Sequence, residues 1–325
     1  MSRIRTILGM ALICAAAAAA AGAAQAADRL KVAVSHKSTW DAIFTLIATD
    51  KGFFREQNLD VQLTFAAGGS DTVQTVTTGA VDMASPAAIL STIAAYAKGV
   101  PIRIVASQML GSPDIYWYVR SDSPIRKIAD LNGKNLAYSR PGSVTHIAVL
   151  NLVSQEKISP KLTSAGGLPA TMTMLMTGQV DVGWGAVPFG LEKVRSGEIR
   201  VLFTGDDIKS IANVASRVVI TSERFLKERR DLVRRFLVAH HKAVHWVYNE
   251  HPDEAAKRFA EDNQMDLAVA KDSMKFFTAA RHDPAPVRGL EASVAQAVEF
   301  KMIEKPLTKE QLAGLVDIVY DPGKK

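Results

Sequence analysis

Ser143, Thr145 and His146 follow a Pro141-Gly142 turn where an apolar strand pattern gives way to a helical one. A helix start of this kind offers free backbone N–H groups, hydroxyl donors and the positive end of the helix dipole, which together hold an anion. The same placement also suits Ser143 to a plain N-cap. His146 either donates to the anion or supports it from behind. Ser38 and Thr39 occupy the matching turn earlier in the chain. Trp40 starts the helix that follows, on the cleft side, and Trp184 stands between Gly183 and Gly185, a setting that displays its ring on a loop. Facing indoles sandwich a flat or cationic group, each contributing up to about 1.5–2 kcal/mol when desolvated. Core packing is the competing reading for both tryptophans. Ser85, beside Pro86, can donate a hydroxyl or N–H from a loop, and Gly142 and Gly185 complete the set of expected ligand-binding residues. The pocket shows no evident Arg or Asp in the sequence, which leaves the ligand's charge open.

Other chemistries find little support. His241 and His245 share a helix face at i, i+4, with His240 beside them, but the residues between are Lys242, Ala243 and Val244 in place of the zinc-enzyme His-Glu-x-x-His. A solvated basic face is the preferred reading, with no metal. Nucleophile-elbow, phosphate-loop and dinucleotide fingerprints are missing from the sequence. Asp82 and Asp181 recur at matching places, which argues for structural roles at strand ends over a catalytic pair. No catalytic residue and no cofactor are expected.

The positioning elements come in two copies. Thr78-Gly79-Ala80-Val81-Asp82-Met83 and Thr177-Gly178-Gln179-Val180-Asp181-Val182 each follow an amphipathic stretch whose Gly resembles a helix C-cap. The apolar residues after each Gly read as a short strand ending in small residues. Upstream, residues 30–34 and 135–138 read as strands, followed by turns at 35–39 and 139–143 and helices at 40–51 and 144–156. The repeated unit alternates strand and helix, which builds a parallel sheet with helices on both faces. Residues 115–120 and 217–221 are further strands, read as two crossings between domains. A helical tail, at 222–249, 252–262, 267–280 and 290–302, returns to the first domain. The expected division is a first lobe of 27–115 plus 218–325 and a second lobe of 116–217. Ligands of open parallel sheets sit beyond the C-terminal strand ends, so residues 35–40, 84–88, 139–146 and 183–188 should face one another across a hinged cleft.

Length and composition agree with this plan. The 325 residues are 48% hydrophobic and 22% charged, which suits a folded chain of about two domains and excludes coiled coil and collagen-like repeats. Arg3 and Arg5 precede an alanine-rich apolar run that ends in Ala24-Gln25-Ala26, the pattern of a cleaved secretory signal over residues 1–26. Removing those two arginines lowers the net charge from +6 to +4, a mixed surface that does not call for nucleic acid. The single Cys14 lies inside this leader, so no disulfide framework exists and a soluble periplasmic protein is expected.

Several short motifs resemble one family. Lys51-Gly52-Phe53-Phe54 with Gln57-Asn58-Leu59-Asp60-Val61 is similar to the "KGFF…GLDV" signature of periplasmic substrate-binding proteins of the aliphatic-sulfonate, taurine and nitrate type, with Asn58 in place of the usual Gly. Gly99-Val100-Pro101-Ile102-Arg103, the run Ala129-Asp130-Leu131-Asn132-Gly133-Lys134, Gly178-Gln179-Val180-Asp181 and His251-Pro252-Asp253-Glu254-Ala255-Ala256 continue the likeness from about residue 30 to 260. The resemblance implies an α/β, two-lobed type II periplasmic-binding-protein fold, with two doubly wound sheets joined by two crossing strands. It also implies delivery of a small solute to an inner-membrane ABC permease with its ATPase. The same resemblance reaches proteins that bind thiamine-pyrimidine precursors and eukaryotic relatives that make one with a self-donated histidine. The expected function is therefore capture of a small organic anion, a sulfonate or a carboxylate, by a monomer that is not an enzyme. A ligand-binding module for a membrane sensor and pyrimidine-precursor binding or synthesis are the alternatives.

Overall fold

The computed structural model describes residues 26–37 and 39–324. The leader up to residue 25, with Cys14, and the site residue Ser38 lie outside the described residues. Among the described residues no helix is long and apolar enough to cross a membrane.

The first sheet has the strand order β2-β1-β3-β10-β4, with β1 Asp28–Ser35, β2 Leu59–Ala66, β3 Met83–Ala88, β4 Ile102–Leu110 and β10 Ala215–Ser222. Strand β1 runs parallel to β2 and β3, whereas β10 runs antiparallel to both β3 and β4. In the second part of the chain, β5 Ile115–Arg120 lies antiparallel between β8 Gly183–Ala186 and β9 Ile199–Thr204. Strands β6 Asn135–Tyr138 and β7 Lys161–Ser164 pair in parallel, and a parallel bridge between Leu136 and Val182 joins β6 to the chain entering β8. The resulting order, β7-β6-β8-β5-β9, repeats that of the first sheet strand for strand. The doubly wound expectation thus holds with one antiparallel strand set into each sheet, β10 in the first and β5 in the second. Between sheets the chain passes at residues 111–114 and 205–214.

The longer helices are α1 Trp40–Asp50, α2 Gly69–Thr77, α3 Ile89–Ala97, α4 Val144–Glu156, α5 Leu168–Met176, α6 Glu223–His245, α7 Pro252–Asn263, α8 Leu267–Met274 and α9 Leu290–Glu299. Helix α4 begins and ends where its pattern predicts. The strand after each Gly-x-Val-Asp starts later than expected. Val81-Asp82 and Val180-Asp181 form the approach, and the small residues that follow make β3 and β8. Each Asp ties this approach to the neighbouring strand: Asp82 Oδ2 accepts from the Lys31 N–H at 2.8 Å, and Asp181 Oδ2 accepts from the Asn135 N–H at 2.8 Å. Small residues in β8 have a steric reason. A Cβ at Gly183 would lie 2.6 Å from the Tyr118 ring, and one at Gly185 2.8 Å from the Tyr116 ring. Tyr116 and Tyr118 thus cover one face of β5, while Trp117 on the other stacks on Phe203 at 4.7 Å.

Candidate functional site

The ends of β1, β3, β6 and β8 and the starts of α1, α2 and α4 enclose one cavity of about 60 Å³. Ser35, His36 and Thr39, then Pro86 and Ala88, then Ser139, Ser143 and Thr145, then Trp184 and Ala186 line it. The four segments that the strand-end argument singled out therefore meet. Across the cavity mouth Arg140 pairs with Asp71, and the Ser91 hydroxyl donates to the Gly142 carbonyl at 2.9 Å, so the two halves are in contact.

Arg217, Asp114 and Asp41 also line the cavity, and all three side chains are buried. The Arg217 guanidinium donates to both Asp114 carboxylate oxygens, at 3.0 and 2.7 Å, and its Nε lies 3.2 Å from Asp41 Oδ2. Two carboxylates share one cation. Burial, with Asp114's charge added, outweighs the pull of Arg217 and pushes the Asp41 carboxyl up to about 6. Burial works against the charge on Arg217, but Asp114 and Asp41 hold the guanidinium above its usual range. Asp41 Oδ1 is buried and has no hydrogen-bond partner. The trio sets two buried carboxylates against one cation and leaves one acceptor atom, Asp41 Oδ1, unanswered.

His36 completes this side. It holds φ at 44°, a left-handed conformation that is costly for a residue with a side chain and common at constrained sites. Burial, with Arg217 nearby, lowers its imidazole to about 4, so it is neutral at pH 7. Thr39 caps no N–H with its side chain; its Oγ1 donates to the His36 carbonyl at 3.0 Å, which pins the turn.

The opposite side is built of hydroxyls. Ser139 Oγ donates to Ser143 Oγ at 2.8 Å, Thr145 Oγ1 lies 2.7 Å from Ser139 Oγ and 2.9 Å from Ser143 Oγ, and the Ser139 N–H donates to Thr145 Oγ1 at 2.9 Å. Ser143 is also the N-cap of α4, accepting from the His146 N–H at 3.2 Å. Cap and cavity roles coincide in this residue.

Five expected contacts, Trp40, His146, Ser85, Gly142 and Gly185, are corrected. Trp40 faces away from the cleft: its ring stacks on Phe259 at 4.1 Å and its Nε1 donates to Ser273 Oγ at 2.5 Å, in the core beneath α7 and α8. The next residue, Asp41, points into the cavity in its place. His146 lies behind the turn, with Nδ1 accepting from the Gly142 N–H at 3.1 Å and the ring 4.4 Å from Tyr138. Ser85 is fully buried within β3, not displayed on a loop, and its Oγ has no partner. Gly142, at φ 77°, and Gly185 shape the turn and the strand and are not on the cavity wall. Trp184 does line the cavity, from strand β8 and not from a loop; it is 2% exposed and its Nε1 has no partner. The view that the pocket lacks Arg and Asp is overturned by Arg217, Asp41 and Asp114. A signal existed for each: Arg217 is the charged head of an apolar strand, Asp114 precedes another, and Asp41 sits two residues past the cap position, as Thr145 does. Among the described residues no group of three or more His, Cys, Asp or Glu is placed to hold a metal.

Two repeated sheets, each with an inserted antiparallel strand, around a cleft at the strand ends define the type II periplasmic-binding-protein fold. The alkanesulfonate-binding protein SsuA of Xanthomonas axonopodis pv. citri, solved with MOPS, has this fold and superposes with a TM-score of 0.77 at 17% identity, covering 91% of this chain and 100% of its own. Residues 40–255 match the family described as NMT1/THI5 like, and the chain belongs to it. Among its relatives, the 4-amino-5-hydroxymethyl-2-methylpyrimidine phosphate synthase THI13 of Saccharomyces cerevisiae is 25% identical over 71% of this chain and 70% of its own. The formylaminopyrimidine-binding protein of Halalkalibacterium halodurans is 26% identical over 65% of this chain and 64% of its own.

Proposed function

We propose that this protein is a periplasmic solute-binding protein that hands a small organic solute to an inner-membrane ABC importer. In this reading the solute presents an N–H donor at one end and an acceptor or anionic group at the other, as an amino-substituted pyrimidine does. The expected lobes, 27–115 with 218–325 and 116–217, act as its two jaws, with all of β10, including Arg217, counted in the first and all of β5 in the second. Asp41 carries the reading: a buried cavity-wall carboxylate with a free Oδ1 costs energy until a donor meets it. Trp184 Nε1, equally buried and unpartnered, supplies a donor from the other half of the same cavity. Formylaminopyrimidine binding and aminopyrimidine synthesis by relatives point to the same chemistry.

The second reading, a sulfonate or carboxylate with no donor of its own, rests on the hydroxyl cluster at the start of α4 and on the alkanesulfonate-binding neighbour. It is opposed by the Asp41–Arg217–Asp114 trio, in which two carboxylates face the cavity and the one cation is already bidentate to Asp114. Calorimetry on the refolded, ligand-stripped mature protein decides between them. We expect 4-aminopyrimidines to bind, Asp41→Asn to weaken them at least tenfold, and the solute to be recovered chemically unchanged. Tight binding of an alkanesulfonate that Asp41→Asn strengthens would establish the second reading, and a turned-over solute would make the protein an enzyme.

A further inference from the structure

Behind the cavity lies a second, smaller one of about 20 Å³, bounded by Ile89, Ile147, Ile211, Val214 and Val144. Its walls continue those of the first. Ala88 on the main cavity is followed by Ile89 and Leu90 on the smaller one, Asp114 is preceded by Ser112, and Arg217 by Ala215 and Ser216. Val144, the first residue of α4, lines both.

The smaller cavity is apolar in effect. Ser293 donates its hydroxyl to the Gly289 carbonyl, Ser216 to the Gly111 carbonyl, and Gln296 donates to Asn151 Oδ1, so these polar groups are already engaged. Ser112 Oγ, fully buried and unpartnered, is the exception. A space of this size holds one water-sized group, and branched aliphatic walls favour an apolar one over water.

We propose that this annex is a subsite for a methyl-sized apolar substituent on the solute, and that Val144 is the partition that sets the substituent's size. The inference rests on the solute-binding reading. A methyl placed in the annex adds about fourfold in affinity, the worth of one buried CH₂. A longer chain clashes with the Ile147 and Ile211 walls until Val144 is trimmed.

The test is a ligand series, 4-aminopyrimidine with hydrogen, methyl, ethyl or propyl at each ring carbon in turn, titrated into the wild-type protein and into Val144→Ala and Val144→Ile. At one ring position the wild-type protein should prefer methyl about fourfold over hydrogen and reject propyl. Val144→Ala should move that optimum to ethyl or propyl, and Val144→Ile should abolish the methyl preference. Binding that is indifferent to substituents in all three proteins overturns the annex while leaving the solute-binding reading intact. If no member of the series binds, the aminopyrimidine reading fails, and xenon-pressurised crystals of Val144→Ala judge the annex separately. Xenon between Ile89, Ile147 and Ile211 supports an apolar annex opened by Val144, and an empty or water-filled space there overturns it.

Discussion

The two halves of the molecule carry the same strand order and the same turn from strand to helix, yet present opposite chemistry to the cleft. In the first, Thr39 occupies the cap position of α1, and the residue two places on is the acid Asp41, beside Arg217 and Asp114. In the second, Ser143 caps α4, and the residue two places on is Thr145, one of three mutually bonded hydroxyls. The geometry was duplicated and the polarity was not. In the proposed reading, an acid-bearing jaw facing a hydroxyl-bearing jaw selects a solute with both donor and acceptor groups, held in one orientation. Their burial differs as well. His240 and His282 are buried in the first half with imidazoles lowered to about 3 each, chiefly by burial, and the partly buried His36 is lowered to about 4, whereas His146 in the second is lowered only by its partial burial.

Acid should separate the halves most strongly. A histidine whose folded pKa is depressed contributes stability above its unfolded value of about 6.5, and that stability is lost as pH falls toward the folded value. Asp41 acts the other way, contributing below about 3.8 and losing its contribution as pH rises through about 6, but it is one group against three. Hydrogen exchange followed from pH 7 to 4 should therefore show protection of β1, β3 and β10 falling before that of β5, β6 and β8. Simultaneous loss in both sheets would erase the difference.

Next in size is Arg217→Met. It strands two buried carboxylates, a change that typically costs about 3–5 kcal/mol. Urea denaturation should show it, and a loss below about 1 kcal/mol would mean that water already reaches the trio.

Smaller effects sharpen the polarity argument. Ser143→Ala with Thr145→Ala should weaken a solute bearing an acceptor at least tenfold while leaving Asp41's preference for an N–H donor intact, measured by calorimetry on analogues lacking one group or the other. Trp184→Phe keeps the ring and removes the unpartnered N–H. A loss of about three- to tenfold in affinity is expected, the net worth of one hydrogen bond, and an unchanged value would place that N–H outside the contact. Asp71→Asn, which weakens the half-exposed pair with Arg140 across the mouth, should alter stability by under about 1 kcal/mol, because solvent screens such pairs.

The sequence revealed the architecture more fully than the site. Periodicity and the Gly-x-Val-Asp repeat located α4, the repeated unit and the four segments around the cavity, because strand and helix patterns are local. What they could not resolve was direction at helix starts. One residue in a first turn subtends about 100°, enough to send Trp40 into the core against Phe259 and bring Asp41 into the cavity. Arg217 was hidden for a different reason: its partners Asp41 and Asp114 are more than a hundred positions away, so its charge reads as a strand end until the sheet is assembled.

Strand β10 sits between β3 and β4 although it follows them by about a hundred residues. A chain emerging from its amino end therefore makes β4 long before the strand that joins it to the sheet exists. The second sheet, whose strands all lie between residues 115 and 204, has every member available before β10 appears. Birth order thus favours the hydroxyl jaw closing into shape first, with the acidic jaw, and the guanidinium that β10 brings to its carboxylates, completed last.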